Sequence, residues 1–350
     1  MKTKYIIIII LVSFLFSCTK NDDTSPSSET YEKGSLFIVN EGNYSSANST
    51  LSNFNPSKDT VVNEIFYRAN NAPLGDVAQS ITFYNNMAFI TINNSGHIYV
   101  TSCKDASFID KIENLLSPRN IMIVNSRKAY VSDLYSTDMV VFNPETFEKT
   151  GSISIGKSTE AMVKSDTKVF VSNWSGYNQV ALNNTVMVIN SNTDMVVDSI
   201  LVGIEPESMV LDKNNKLWVL CSGGFMNDEN PSLWKISTES HVVEQKYTFG
   251  DKQSNPDNLK INGNGDILYF LKDGLFSMSI EETELPTVPL IESGSYNYYS
   301  IGIDKISGDI YLSDAGNYNQ NGYVFRYDKN GQVISNFEAG IIPGTMKFYY

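Results

Sequence analysis

Histidine and cysteine are scarce in this chain: two histidines, His97 and His241, and three cysteines, Cys18, Cys103 and Cys221, occur among 350 residues. That inventory leaves almost no soft ligands for zinc, haem or an iron–sulfur cluster. It also leaves a nucleophile–base pair very few candidate bases. Positive charge is short as well, with Lys plus Arg at 26 against Asp plus Glu at 39 and a net charge of −13. The sign speaks against a nucleic-acid partner, because phosphate neutralisation needs cations. No Gly-x-Ser-x-Gly elbow is present, and from Ser35 onward no helical period emerges. The one long apolar run, residues 5–16, is too short to cross a bilayer. What remains is 18 Phe, 20 Tyr and an apolar content of 41%, enough for one large core or two ordinary ones and far too much for a disordered chain.

The amino terminus reads as an export signal. Lys2 and Lys4 precede the apolar run, and Leu15-Phe16-Ser17-Cys18 ends it with a small residue before a cysteine. In a lipoprotein signal the thiol of that cysteine accepts a diacylglyceryl group before cleavage, so residues 1–17 would leave and Cys18 would carry the lipid. Phe16 departs from the small residue usual at its place, and the other reading is an ordinary secreted protein cut near Ser17. Residues 18–34 are polar, rich in Ser, Thr and Pro and without apolar period, as in a flexible tether. Asp22 and Asp23, close behind Cys18, either solvate that tether or mark export to the outer face of an outer membrane, the location favoured here.

From residue 35 to 350 the chain reads as all-β, with short alternating runs bounded by Asn, Gly, Asp and Ser. A repeat organises it. A polar residue and then a small or amide residue open an apolar strand at Gln79-Ser80, Arg119-Asn120, Glu160-Ala161, Glu207-Ser208, Asp257-Asn258 and Tyr299-Ser300, and more weakly at Gly344-Thr345. The second positions recur every 40 to 50 residues, the length of one four-stranded propeller blade. Six blades are complete. The seventh is split: runs at 35–39, 49–54 and 60–66 supply three strands, and 346–349 supplies the innermost strand from the other end of the chain. The sequence therefore predicts a seven-bladed β-propeller closed by pairing of its terminal strands, which removes the open edge. Two β-sandwiches would need no such spacing.

Gly151 to Ser158 satisfies the phosphate-loop pattern letter for letter. Its Ser-Ile-Ser-Ile centre alternates like a strand, however, and Thr159 to Lys164 open the next blade, so no helix amino terminus is available for an anion. Asn262-Gly263-Asn264-Gly265-Asp266 resembles part of a calcium loop but lacks the late glutamate, and is read as a turn. His97 and His241 are read as surface strand residues. Cys103 and Cys221 fall three blades apart and are read as unpaired, partly buried thiols.

The informative residues lie in long loops. In a propeller the turns from second to third strand and those joining successive blades share one face, and here they carry aromatics and amides: Tyr44 in 40–48, Arg68 and Asn70 in 67–77, Tyr135 in 133–138, Asn173, Trp174, Tyr177 and Asn178 in 173–184, Phe225 in 222–230, Tyr296 and Tyr298 in 293–299, and Tyr318 in 314–322. The opposite turns, such as Asn85-Asn86, are short. Aromatic faces with amide donors and acceptors suit a large amphipathic ligand. Gln79, Arg119, Glu160, Glu207 and Asp257, at the inner-strand starts, either contact such a ligand or satisfy one another and nearby amides.

The Pro-Glu-Ser-Met-Val opening at Pro206, the Asn143-Pro144-Glu145-Thr146 blade ending and the Asn40-Glu41-Gly42-Asn43-Tyr44 start resemble YncE-like seven-bladed propellers over residues 35–350. With the export signal, the likeness extends to the BtuG-type surface lipoproteins. That resemblance implies capture of cobalamin, as a transported ligand and not a cofactor, and its delivery to a TonB-dependent outer-membrane transporter, with no catalysis. Two other readings stay open: a surface glycan-binding or adhesive propeller, and a calcium-dependent lactonase-like hydrolase using Glu160, Glu207 and Asp257. The anchoring step is checked by Cys18→Ser, which should move the protein from the membrane fraction to the soluble fraction; retention in the membrane contradicts lipidation.

Overall fold

A computed structural model describes residues 29–175 and 183–350. Among them, seven antiparallel sheets of four strands each follow one another around a ring. The inner strands are Ala78–Tyr84, Pro118–Asn125, Met162–Ser165, Pro206–Leu211, Asp257–Ile261, Tyr298–Ile303 and Pro343–Tyr349, in blades numbered 1 to 7 in that order. The chain is thus a seven-bladed β-propeller, as its repeat predicts.

The repeat has a physical origin visible at the inner strands. In five of the seven blades the small or amide residue in second position bonds the inner strand of the next blade. Ser80 Oγ donates to the Arg119 carbonyl at 2.7 Å, Asn120 Nδ2 to the Glu160 carbonyl at 3.3 Å, Asn258 Nδ2 to the Tyr299 carbonyl at 3.0 Å and Thr345 Oγ1 to the Gln79 carbonyl at 2.9 Å. Ser208 Oγ instead accepts from the Leu259 amide at 3.0 Å. Inner strands of different blades are not in one sheet, so their edge groups need such side-chain partners. The short polar residue recurs because it supplies them.

Apolar packing then fills the seven spaces between blades, one core cluster to each. Phe89 and Val100 of blade 1 meet Ile121 and Phe142 of blade 2, Trp218 and Leu220 of blade 4 meet Leu259 and Phe270 of blade 5, and the others follow suit. The last two spaces hold the closure. Met346 and Phe348 pack with Tyr311 and Phe337 of blade 6, while Tyr349 joins Phe37, Ile81 and Ile90 between blades 7 and 1. Strand Ser35–Asn40 pairs with Pro343–Tyr349 on one side and Thr50–Asn55 on the other, which is the split blade expected from the sequence.

Three details differ from expectation. The strand expected over 60–66 stops at Val62. Glu64 turns the backbone to φ 59°, and a helix, Ile65–Asn70, follows. It buries Ile65 and Phe66, the latter tilted against Tyr99 at 4.8 Å, so the apolar residues that read as strand face a neighbouring blade from a helical turn. His97 is buried, at 8% exposure, edge-on to Tyr99, and burial holds its imidazole below the usual range, at about 4. His241 lies in a turn at φ 59°, with Nδ1 2.6 Å from Asp198 Oδ2. Neither is a surface strand residue. Cys103 and Cys221 are free and fully buried. Residues 151–158 end an outer strand without starting a helix, so they form no phosphate loop. No helix of the described residues is long and apolar enough to cross a membrane.

Truncation after Ile342 removes the buried Met346, Phe348 and Tyr349 and leaves Ser35–Asn40 as an open edge. Stability should fall by at least about 4 kcal/mol, from three buried side chains alone. A thermal melt superimposable on the full-length one would contradict closure through the termini.

Candidate functional site

The first position of each repeat stands where its inner strand begins, so the seven first positions encircle one mouth of the central channel. In order they are Gln79, Arg119, Glu160, Glu207, Asp257, Tyr299 and Gly344. The glycine is accounted for by a side chain from elsewhere. A Cβ at Gly344 would collide with the Glu41 carboxylate, so Glu41, from the loop after strand Ser35–Asn40, occupies the seventh place. Tyr299 Oη donates to Glu41 Oε2 at 3.2 Å.

The ring is internally paired on one side and under-paired on the other. Arg119 holds Glu160 through both carboxylate oxygens, Nε to Oε2 at 2.6 Å and Nη2 to Oε1 at 3.2 Å, and its Nη1 donates to Gln79 Oε1 at 2.7 Å. Such a bidentate pair is strong and directional. Glu207 Oε1 accepts the Asn258 amide at 2.9 Å and the Ser208 hydroxyl at 3.1 Å, and Asp257 Oδ1 accepts Asn258 Nδ2 at 3.4 Å. Neither acid has a salt-bridge partner among the described residues. Enclosure by protein raises both well above the ordinary carboxylate range, and the Asp257 charge pushes Glu207 further. Burial likewise pushes Glu41 up to about 7, against the pull of Arg119. The two roles open to the strand-start residues are therefore both present: Arg119, Glu160 and Gln79 satisfy one another, while Glu41, Glu207 and Asp257 are held in an environment that costs them their charge.

Around this ring the long loops stand in different roles. Trp174 is half-buried, with the Arg119 guanidinium 5.3 Å from its ring centroid, and its carbonyl accepts the Ser158 hydroxyl at 2.7 Å. Tyr318 sets its ring edge-on to Tyr299 at 6.0 Å. Its carbonyl accepts Asn43 Nδ2 at 2.6 Å, so the loops that carry Tyr44 and Tyr318 are joined. The buried Asp133 shapes the Tyr135 loop by accepting the amides of Tyr135 and Ser136 at 2.9 Å and, through its other oxygen, that of Ser117. Tyr44, Tyr135, Phe225, Tyr296 and Tyr318 are exposed by 72%, 57%, 59%, 45% and 43%. On the short-turn side Phe108 and Tyr350 are the exposed rings among the described residues. The long-loop side thus gathers exposed rings from several blades.

Other sequence-predicted residues do not join this face. Asn70 spends its amide within the fold, donating to the carbonyls of Phe66 at 2.8 Å and Ala106 at 2.9 Å and accepting the Phe108 amide at 2.7 Å. Ala106 belongs to the turn between third and fourth strands and Phe108 opens the fourth, both on the short-turn side. Arg68, in the same helix, donates Nε to the Asn63 carbonyl at 2.8 Å. Asn173 is fully buried, its Nδ2 on the Ser158 carbonyl at 3.0 Å and its Oδ1 accepting the Thr185 hydroxyl at 2.7 Å. Tyr298 turns between blades 5 and 6 to share a hydroxyl bond of 2.7 Å with Tyr327, with Tyr296 stacked on it at 5.8 Å. Tyr177, Asn178 and Cys18 lie outside the described residues. Sequence reasoning misses Glu41 and Tyr299 as members of the mouth, yet both carry a signal: Tyr299 is the first position of its repeat, and Gly344 is the one first position without a side chain.

A seven-bladed β-propeller with its long loops gathered on one face is the class of protein so defined. Within that class the chain belongs to the DUF5074 family, described as a domain of unknown function, whose profile matches residues 33–346. No curated protein matches it. Among solved structures it is similar to a quinonprotein alcohol dehydrogenase-like protein from Bacteroides thetaiotaomicron, at 14% identity over 92% of this chain and 80% of that one, with a TM-score of 0.70. It is also similar to the dihydro-heme d1 dehydrogenase NirN, at 10% identity over 93% and 78%, TM-score 0.61, and to the hydrazine synthase of Kuenenia stuttgartiensis, at 12% over 75% and 87%, TM-score 0.59. At these identities the likeness is one of fold.

The raised carboxyls carry a consequence for stability. A carboxyl whose folded pKa lies above its unfolded value favours the fold while protonated, so its contribution is whole below the ordinary carboxylate range and is lost as pH rises through the folded value, about 7 for Glu41. The melting temperature should fall between about pH 5 and about pH 8, and the Glu207→Gln, Asp257→Asn double variant should flatten that fall. A double variant with the wild-type slope would contradict the burial of these acids.

Proposed function

We propose that this protein is a lipid-anchored protein of the outer-membrane surface. In this reading its long-loop face captures cobalamin or a closely related corrinoid, unchanged chemically, and passes it to a TonB-dependent outer-membrane transporter. The observation that carries the reading is the exposure of aromatic rings from several blades on one face, around a mouth lined with hydrogen-bonding groups. A corrinoid is broad and flat, with amide arms around an apolar macrocycle. Its capture needs ring faces to cover the macrocycle and many acceptors and donors at the edge, spread over a wide surface. Trp174 and Tyr318, fixed by Arg119 and Tyr299, supply pre-ordered faces, which lowers the entropic cost of binding. Glu41, Glu207 and Asp257, protonated or not, accept from amide donors. The export signal at Cys18, the acidic pair Asp22 and Asp23, and the resemblance of the Asn40 to Tyr44 start support the surface location and the transport role.

The same exposed rings suit a surface glycan, since sugars stack on tyrosine and tryptophan. Calorimetric titration with cyanocobalamin and, in parallel, with a panel of glycans separates the two. Saturable binding of cyanocobalamin is expected, weakened by ~2–4 kcal/mol in the Trp174→Ala, Tyr318→Ala double variant and unchanged by Arg127→Ala on the short-turn face. Wild-type protein that ignores the corrinoid overturns the vitamin reading. Equal losses in both variants overturn the assignment of the face.

A further inference from the structure

One layer deeper than the mouth, the seven inner strands present a second set of equivalent positions. Thr82, Met122, Val163, Val210, Lys260, Gly302 and Lys347 each lie three residues beyond a first position. Each also pairs across its blade with an aromatic: Phe89, Tyr130, Phe170, Trp218, Tyr269, Tyr311 and Phe37 respectively. The shared pairing shows that they occupy one level, ~10 Å below the mouth at the rise of a strand. Five of the seven are neutral and none is acidic. Lys260 and Lys347 stand on either side of the strand that carries Gly302, whose missing side chain makes room for Met346 of blade 7.

Neither ammonium group has a hydrogen-bond or salt-bridge partner among the described residues. Lys347 is open to solvent, but an inner strand is covered by its own sheet and by both neighbouring blades, so the water it meets is that of the channel. Enclosure pulls Lys347 down to about 8, and the charges that act on it, Lys260 and the exposed Lys305 of the adjoining short turn, are of its own sign. Lys260 is lowered by burial too, although Glu207 and Asp257 above it pull the other way. Two like charges at one level of the channel repel each other, neither forms an ion pair with a described residue, and a bound anion relieves that repulsion.

We propose that the central channel holds a small oxyanion between Lys260 and Lys347, at the level of Gly302, reached from the short-turn side. The site takes a phosphate-like or carboxylate group as a ligand distinct from whatever the long-loop face binds, and it uses none of that face's residues. Lysine suits the task, since it presents a compact charge with three donors that can turn toward an anion in a narrow space.

The test uses inorganic phosphate as probe at neutral pH, with sodium chloride at matched ionic strength as the reference. Phosphorus NMR should show saturable broadening with the full-length protein, weakened about tenfold by Lys260→Met or Lys347→Met, as for loss of one charged hydrogen bond, and absent in the double variant. A measurement on the wild type covers the case in which the variants fail to fold: acetylation by an amine-directed reagent, followed by mass spectrometry, should label Lys347 early, and phosphate but not chloride should protect it and Lys260. Phosphate binding that persists in the folded double variant, or labelling indifferent to phosphate, overturns the proposal.

Discussion

Everything in this molecule depends on the pairing of residues 35–40 with residues 343–349. Until it forms, the other six sheets make an open stack whose first and last apolar faces lack partners. Once it forms, the cores on either side of blade 7 are completed by Met346, Phe348 and Tyr349. Closing so long a chain is less costly than its length suggests, because loop entropy grows only with the logarithm of length. A full strand pairing and three buried side chains offset it. The constraint is also what assembles the mouth, since Glu41 comes from one end of the chain and the gap above Gly344 from the other.

The parts of the fold legible in the sequence are those that repeat. Ser80, Asn120, Ser208, Asn258 and Thr345 recur because each bonds the backbone of the next inner strand, and a requirement met in five of the seven blades leaves a periodic trace. The helix at Ile65–Asn70 is illegible for the complementary reason: it occurs once, and its Ile65-Phe66 pair looks the same whether it is buried by a strand or by one helical turn. Position on the long-loop face is readable for Tyr44, Tyr135, Phe225 and Tyr318, because loop length and strand order determine the face. What each polar side chain does there is not. Asn70 and Asn173 carry the same amide as a ligand contact would, and only the nearby backbone groups show that both are spent on holding loops.

The mouth illustrates how a symmetric backbone is made specific. Identical strand starts present Gln, Arg, Glu, Glu, Asp, Tyr and Gly in turn, so the scaffold fixes where groups stand and the sequence decides their chemistry. Arg119 commits two of its neighbours to an internal network and stacks beneath Trp174, which stiffens that arc of the ring. The opposite arc, from Glu207 to Glu41, keeps acids whose charge the fold disfavours. Enclosure of a carboxylate without an opposite charge in contact is a net cost, even where hydrogen bonds reach it. These acids give that arc of the mouth carboxyl groups whose charge the fold disfavours.

Acids at the mouth and lysines ~10 Å below give the channel a direction, a dipolar bore whose two ends favour opposite ligands. The groups do not neutralise one another by contact: Lys260 is drawn toward Glu207 and Asp257 yet forms no ion pair with either. Side chains on adjacent inner strands are free to shorten such distances by small changes of sequence, for instance by moving a carboxylate one position inward. The separation is therefore a property that this arrangement of residues maintains, and it keeps the long-loop face suited to neutral or donor-rich groups while anions are met from the other side.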